Sequence, residues 1–328
     1  MIFRVCIFLY LFPFLVLTSV IDYKSNCTCV PYYQCSEETG GVITNGAGLF
    51  DTRLFRNAHC TGYFDVCCNT TLTIDNDPPE KEEKPRGCGY HVPGVFPWSV
   101  ILRIQKDSTK PFQHKCGASL IHSQVAITAA HCTDDVTARY EVKIGKQATV
   151  VTKIIRHPKF NINTLQNDVA LLVLKNPLKI SEEVSLICIP PPRFSIEHNQ
   201  CITSSWNNTD DSKVDPVPRL IKLPVISKKN CENTLRATRL GTFFQLHKTF
   251  VCAGGEAEKD TCNGDGGNPL ICPISGERGR YHQVGIVSWG IGCGEFNMPG
   301  VYVRLSIFRD WIDKVMLKNG FDINGYRY

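Results

Sequence analysis

Short alternating or apolar runs, separated by turn residues, fill the chain from about residue 98 onward. Trp98–Ile104, Ala118–Ile121, Ala126–Thr128, Glu141–Ile144, Thr149–Ile155, Val169–Leu174, Val225–Ile226 and Gln283–Trp289 each read as a strand. Many short strands with Gly/Pro turns predict an all-β barrel or sandwich. Ile307, Trp311, Ile312 and Val315 recur at helical spacing and predict one amphipathic helix that closes the section. The residues after Asn319 read as a frayed tail. Upstream the pattern changes. Residues 69–87 hold three prolines, mixed charge and little that is apolar beyond Leu72 and Ile74, and read as a solvated linker.

The 328 residues suggest about two domains on a prior of ~150 residues each. The hydrophobic fraction of 43% is enough for a sizeable core. The formal charge of +5 is mild, and no Lys/Arg block points to nucleic acid. Residues 1–19 have Arg4, an apolar run, and small residues at Thr18 and Ser19, the form of a cleaved secretory signal peptide. The run is short, with no basic cluster behind it, which argues against a membrane anchor. No other stretch of 18 or more apolar residues occurs.

Of the 17 cysteines, Cys6 leaves with the signal peptide, and an even number remains. In a secreted chain this implies disulfides. Paired C-x-x-C units of a zinc site do not recur, and no metal or cofactor is implied. Cys27, Cys29, Cys35, Cys60, Cys67 and Cys68 form a compact group. Residues 27–68 are too few for a self-sufficient core, so staples are expected. Leu49, Phe50, Leu54, Phe55, Tyr63 and Phe64 read as its miniature core or as a groove for a partner.

The spacing C-x-C, a third cysteine, a long loop, a fourth and an adjacent pair resembles the arthropod clip domain. That resemblance implies Cys27–Cys67, Cys29–Cys60 and Cys35–Cys68. Asp260-Thr-Cys-Asn-Gly-Asp-Gly-Gly-Asn-Pro-Leu270 resembles the nucleophile loop of the chymotrypsin-like serine proteases. Thr128-Ala-Ala-His-Cys132 resembles the segment of the catalytic histidine, and Asn167-Asp-Val-Ala-Leu-Leu172 that of the catalytic aspartate. Ser288-Trp-Gly290 and Pro299-Gly-Val-Tyr302 resemble walls of the primary specificity pocket. The resemblance spans residues 88–318 and implies a chymotrypsin-like double β-barrel with a C-terminal helix, preceded by a small disulfide-rich clip domain. It also implies Cys88–Cys188, Cys116–Cys132, Cys201–Cys272, Cys231–Cys252 and Cys262–Cys293.

Laid on that pattern, the triad positions are His131, Asp168 and 266, and position 266 is glycine. Glycine has no oxygen to attack a carbonyl or carry an acyl group. The resemblance implies oxyanion-hole positions at Gly264 and Gly266 and a pocket base at Asp260, with Ser288, Gly290 and Gly300 around it. Active relatives carry a basic residue before Ile-Val-Gly-Gly, and the cut amino terminus pairs with the aspartate matching Asp265. This chain reads CGYHVPGVFPW over 88–98, so Asp265 is expected to take hydrogen bonds elsewhere. Asn268, and Ser205 and Asn207 around Trp206, replace usual glycines and restrict the backbone near the oxyanion hole.

Asn26, Asn69 and Asn207 open N-x-[ST] sequons. Asn69 in the linker is the most accessible of them. Lys81, Lys84 and Arg86 offer a trypsin-like enzyme its cleavage points. The resemblance is to non-catalytic clip-domain homologues of the masquerade type. It implies an extracellular haemolymph cofactor, cut by an upstream protease and then self-associating. The implied partners are prophenoloxidase and its activating clip-domain protease, in melanisation. A microbial-surface or adhesion module and a decoy inhibitor of a trypsin-like protease stay open as alternatives.

Overall fold

The computed structural model describes residues 27–31, 41–42, 65–73, 87–90, 96–196, 199–205, 219–257, 261 and 264–328. Two compact units divide the chain, Met1–Pro78 and Pro79–Tyr328. The signal-peptide region, the sequons at Asn26 and Asn207, and the cleavage points Lys81, Lys84 and Arg86 lie outside the described residues. So do Cys35, Cys60, Asp260 and Cys262.

The first unit holds β1 (Cys27–Pro31), β2 (Gly41–Val42) and β3 (Asp65–Thr73), in the order β1-β3-β2. Strand β3 runs antiparallel to β1 and parallel to β2, with Cys29 opposite Cys67. Residues 69–73, read above as the start of the linker, instead continue β3. Asn69 pairs with Cys27 on one side and Gly41 on the other, inside a sheet. The polar run Asn-Thr-Thr-Leu-Thr misleads because threonine, although polar, is β-branched and favours strands.

The second unit is two closed six-stranded antiparallel barrels. The first takes β4 (Ser99–Gln105), β5 (Gln113–His122), β6 (Val125–Thr128), β7 (Arg139–Ile144), β8 (Gln147–Arg156) and β9 (Ala170–Leu174). Its order is β4-β5-β6-β9-β8-β7. The second takes β10 (Gln200–Ser205), β11 (Arg219–Ile226), β12 (Phe250–Gly254), β13 (Pro269–Pro273), β14 (Tyr281–Trp289) and β15 (Pro299–Arg304), in the order β10-β11-β12-β15-β14-β13. Strand β4 shows the expected alternation, with Val100, Leu102 and Ile104 inward. Strands β10, β12, β13 and β15 do not alternate. Strand β12 is buried throughout, and β13 and β15 are buried in all but their last residues. Their Gly and Pro residues further disguise them as turns.

Helix α1 (Lys228–Arg236) was not legible because it buries only Cys231 and Leu235. Its start is set by Ser227, whose hydroxyl accepts from the Asn230 N–H at 3.2 Å. Helix α2 (Arg309–Lys318) follows the second barrel in the chain, and Trp311 and the C-cap Asn319 reach His157 and Lys153, beside and on β8 of the first. Its buried stripe is Phe308, Ile312 and Met316, while Ile307 sits exposed in the preceding 3-10 turn.

The tail does not fray. Tyr326 is fully buried, and its hydroxyl donates to Asp313 Oδ1 at 2.7 Å. Arg327 donates to Asp313 Oδ2 at 2.8 Å, and the Tyr328 hydroxyl hydrogen-bonds His282 Nδ1. A large aromatic at the end of a polar decapeptide was the overlooked signal, since burying such a ring contributes roughly 1.5–3 kcal/mol.

Among the described residues, disulfides join Cys88–Cys188, Cys116–Cys132, Cys201–Cys272 and Cys231–Cys252. Cys293 is also disulfide-bonded. The Cys88 bridge is reinforced on all sides. Gly89 donates to Leu186 O at 2.8 Å and accepts from Tyr281 N–H at 2.8 Å. Arg280 Nε donates to Cys88 O at 3.0 Å, and its guanidinium lies 5.0 Å from the Tyr90 ring centroid and 5.7 Å from that of Tyr328. Only glycine fits at 89, where φ is +81° and a Cβ would meet Tyr281 O at 2.1 Å.

Candidate functional site

His131 sits on a 3-10 turn, Ala130–Thr133, that comes directly after β6. The turn is fixed by the Cys116–Cys132 disulfide and by Thr133 Oγ1 donating to Ala130 O at 2.8 Å. Ala129 and Ala130 are fully buried, small enough to let the turn press on the barrel. Asp168 precedes β9, at the end of a loop with two non-glycine residues at positive φ, Leu165 (+52°) and Asn167 (+58°). Asn tolerates that conformation, and Asn167 Nδ2 donates to Lys159 O at 2.8 Å. Leu165 does not tolerate it and stores backbone strain beside the site.

The Asp168 carboxylate is fully buried and accepts three bonds. His131 N–H donates to Oδ1 at 2.9 Å, His131 Nδ1 lies 2.8 Å from Oδ2, and Ser288 Oγ donates to Oδ2 at 2.6 Å. A buried carboxylate needs such donors. Ser288, read above as a pocket wall, thus spends its hydroxyl on the aspartate, a role that no spacing signalled. The ring of His131 is aimed through Nε2 at Gly266. A Cβ on Gly266 would lie 2.7 Å from Nε2 and 3.2 Å from Cε1. Position 266 offers the imidazole no side-chain atom, and the ring closes over the space that atom would need. Cys132 Sγ lies 3.6 Å from Nε2, but both Cys116 and Cys132 are consumed in their disulfide and offer a metal no thiolate.

The loop beneath is tightly built from backbone. Gly117 N–H donates to Gly266 O at 2.8 Å, and Gly267 N–H to Val287 O at 2.9 Å. Gly264 and Gly267 take φ of +95° and +83°. A Cβ on Gly267 would meet Gly117 O at 2.2 Å and Thr128 Oγ1 at 2.4 Å, so glycine is obligatory there. Asp265 is fully buried. Ser205 Oγ donates to its Oδ2 at 2.6 Å, and Asn268 Nδ2 approaches its Oδ1 at 3.5 Å while donating to Ser204 O at 2.8 Å. Two of the residues that depart from glycine are thus the ones that hold the carboxylate. Asn268 also requires its neighbour to be small, since a Cβ on Gly117 would fall 1.7 Å from Asn268 Oδ1.

Around the pocket, Trp289 stacks edge-on against Phe244 and Phe250, at 6.3 and 5.9 Å between ring centroids. Gly290 has no atom nearer than 3.9 Å to a built Cβ, and Gly300 pairs with Ala253 between β15 and β12.

Residues 89–312 match the family model Trypsin, and residues 21–69 match Serine protease Clip domain PPAF-2. The chain is 38% identical to phenoloxidase-activating factor 2 of Galleria mellonella over 296 residues, 78% of this chain and 97% of that one. It is 38% identical to inactive CLIP domain-containing serine protease A28 of Anopheles gambiae over 307 residues, 80% of this chain and 81% of that one. The A8 protein of the same name and species is 33% identical over 318 residues, covering 87% of each chain. With twelve strands in two closed barrels, a terminal helix and matches over both parts of its length, the chain belongs to the clip-domain serine protease family.

Proposed function

We propose that the protein is a secreted, catalytically inactive serine protease homologue that assists a proteolytic cascade as a cofactor. One observation carries the loss of catalysis. His131 and Asp168 keep a 2.8 Å contact, yet the ring faces the bare backbone of Gly266. In a triad of this kind the histidine takes the nucleophile's proton and the aspartate orients the histidine. Without a hydroxyl no acyl-enzyme forms, and losing that serine costs about a millionfold in turnover in a related triad. The word "inactive" in the names of the two Anopheles relatives supports this reading.

The partners are proposed from the Galleria relative, a phenoloxidase-activating factor. They are prophenoloxidase and its activating clip-domain protease, met in the extracellular haemolymph. An upstream protease cuts at Lys81, Lys84 or Arg86, and self-association comes next. Asn69 and Asn207 carry glycans in this reading. Among the described residues no helix is long and apolar enough to cross a membrane.

Mixing the purified protein, intact or after limited cleavage, with prophenoloxidase and its activating protease tests the role. The cleaved form is expected to raise phenoloxidase activity and to move to higher mass. No change in either sinks the cascade role and leaves the family assignment untouched. A fluorophosphonate probe tests the catalytic half and is expected to leave the protein unlabelled.

A further inference from the structure

The first barrel closes between β7 and β8 over only four residue pairs. Strands β7 and β8 pair only from Glu141↔Val150 to Ile144↔Gln147. Beyond that point β7 turns toward β4, with Arg139 opposite Gln105 and Tyr140 opposite Ile104. Strand β8 turns the other way, and Val151–Arg156 pairs with β9. Two strand edges therefore face each other across a groove of about 520 Å³. Residues 151–156 alone present about 17 Å of edge at 3.3 Å per residue. A free edge of this kind is a template for an added strand.

Its charge names the occupant. Arg139, Lys153 and Arg156 all line the groove. Each is hydrogen-bonded to a neutral oxygen, Arg139 to Gln105 Oε1 at 3.2 Å, Lys153 to Asn319 Oδ1 at 2.8 Å and Arg156 to Thr133 Oγ1 at 2.9 Å, and Arg139 also lies 6.0 Å from the Phe112 ring centroid. The nearby acids are committed elsewhere. Asp134 pairs with Lys115 and Glu141 with Arg103, each at 3.0 Å. Asp135 accepts from the N–H groups of Thr137 and Ala138 and from the Thr137 hydroxyl. The groove is therefore net positive, over a floor that includes Val150, Val151 and Ile154. A second copy of this chain would bring the same three cations to the same edge, and like charges across a strand pair repel.

We propose that the β7–β8 groove docks an extended acidic segment of a partner protein. The segment adds a strand to the β8 edge, sets its carboxylates against Arg139, Lys153 and Arg156, and lays alternate apolar side chains on the valine floor. Contacts of this type speed encounter and select the partner more than they deepen affinity, and they weaken with salt. The site does not involve His131 or position 266, and its fate is independent of the cascade role proposed above.

The test uses the full chain and a fluorescein-labelled heptapeptide of alternating Glu and Val, read by anisotropy. Two further peptides separate the contributions, one with Gln for Glu and one N-methylated at alternate residues. The parent peptide is expected to bind, and both analogues to bind at least about tenfold more weakly, as each strips one source of affinity. The double variant Arg139→Glu/Lys153→Glu is expected to weaken the parent by a similar factor. Lys229→Glu/Lys314→Glu, an equal charge change at exposed positions on α1 and α2, is expected to leave it unchanged. Melting temperatures establish that both variants are folded. The proposal is overturned if the parent peptide fails to bind at millimolar concentration. It is also overturned if N-methylation costs nothing, or if Lys229→Glu/Lys314→Glu weakens binding as much as the groove variant does.

Discussion

The two halves of the triad-like site differ. The first-barrel half keeps His131 and Asp168 in hydrogen-bonded contact, with Ser288 as third partner. The second-barrel half has been rewritten: glycine stands at 266, asparagine at 268, and Ser205 reaches across to Asp265. The difference arises from what each half would cost to change. A serine hydroxyl at 266 faces a partly open site and can be deleted with little penalty. A fully buried carboxylate cannot lose a donor cheaply, because the charge stays behind. Asp168 thus serves as a structural anchor whatever happens at 266, and Asp265 takes donors from Ser205 and Asn268.

This contrast can be broken or sharpened experimentally. The largest effect is expected from Asp168→Ala. It strands three donors in the interior and should cost about 4 kcal/mol in chemical denaturation. If Asp168→Ala is neutral, the dyad is no anchor.

Next comes acid. His282 is buried between Phe194 and Tyr328, and burial pulls its pKa down to about 4. A histidine with a lowered folded pKa is held neutral, while the unfolded chain protonates near 6.5. Stability should therefore be full above about pH 6.5 and fall by about 3 kcal/mol as pH drops to 4. Removing Tyr328 opens the site to water and should flatten that slope, measured as melting temperature against pH.

A smaller loss, about 2 kcal/mol, is expected for Ser205→Ala, which takes the shortest bond from the Asp265 carboxylate. Ser205→Thr should keep most of it. The smallest effect belongs to Gly266→Ser. The His131 ring, 2.7 Å from where the Cβ would sit, must swing aside, costing about 1 kcal/mol, and no fluorophosphonate labelling should appear. Labelling of this variant would show that the rewritten loop is still competent and that the missing hydroxyl is the whole defect.

The barrels were legible wherever one strand face meets the core and the other meets solvent, as in β4 with Val100, Leu102 and Ile104 inward. Strands buried on both faces lose the alternation: β6 and β9 were still legible as continuous apolar runs, whereas β12, β13 and β15 were not, because Gly or Pro at their ends reads as a turn. The histidine and aspartate segments and the glycine at 266 could be read as motifs, since each rests on adjacent residues. The partners of Asp168 and Asp265 could not. Ser288 lies 120 residues from Asp168, and Ser205 lies 60 from Asp265. Only the fold brings them together. Ser205 and Asn268 could be flagged as departures from glycine, but not as each other's collaborators. The tail misled through its polarity, which hid the one buried ring of Tyr326.

The clasp on Gly87–Tyr90 has a thermodynamic corollary. Cleavage can drive a conformational change only by releasing chain whose new freedom is worth something to the folded body. Here the residues just after the proposed cleavage points are held by a disulfide, two backbone hydrogen bonds at Gly89 and a guanidinium sandwiched between Tyr90 and Tyr328. A cut upstream of Gly87 liberates entropy on its own side of that clasp and transmits almost none past it. Proteolysis and the barrels are in this sense energetically uncoupled. A cut would then act by releasing the chain upstream of the clasp, while the barrels downstream keep their conformation.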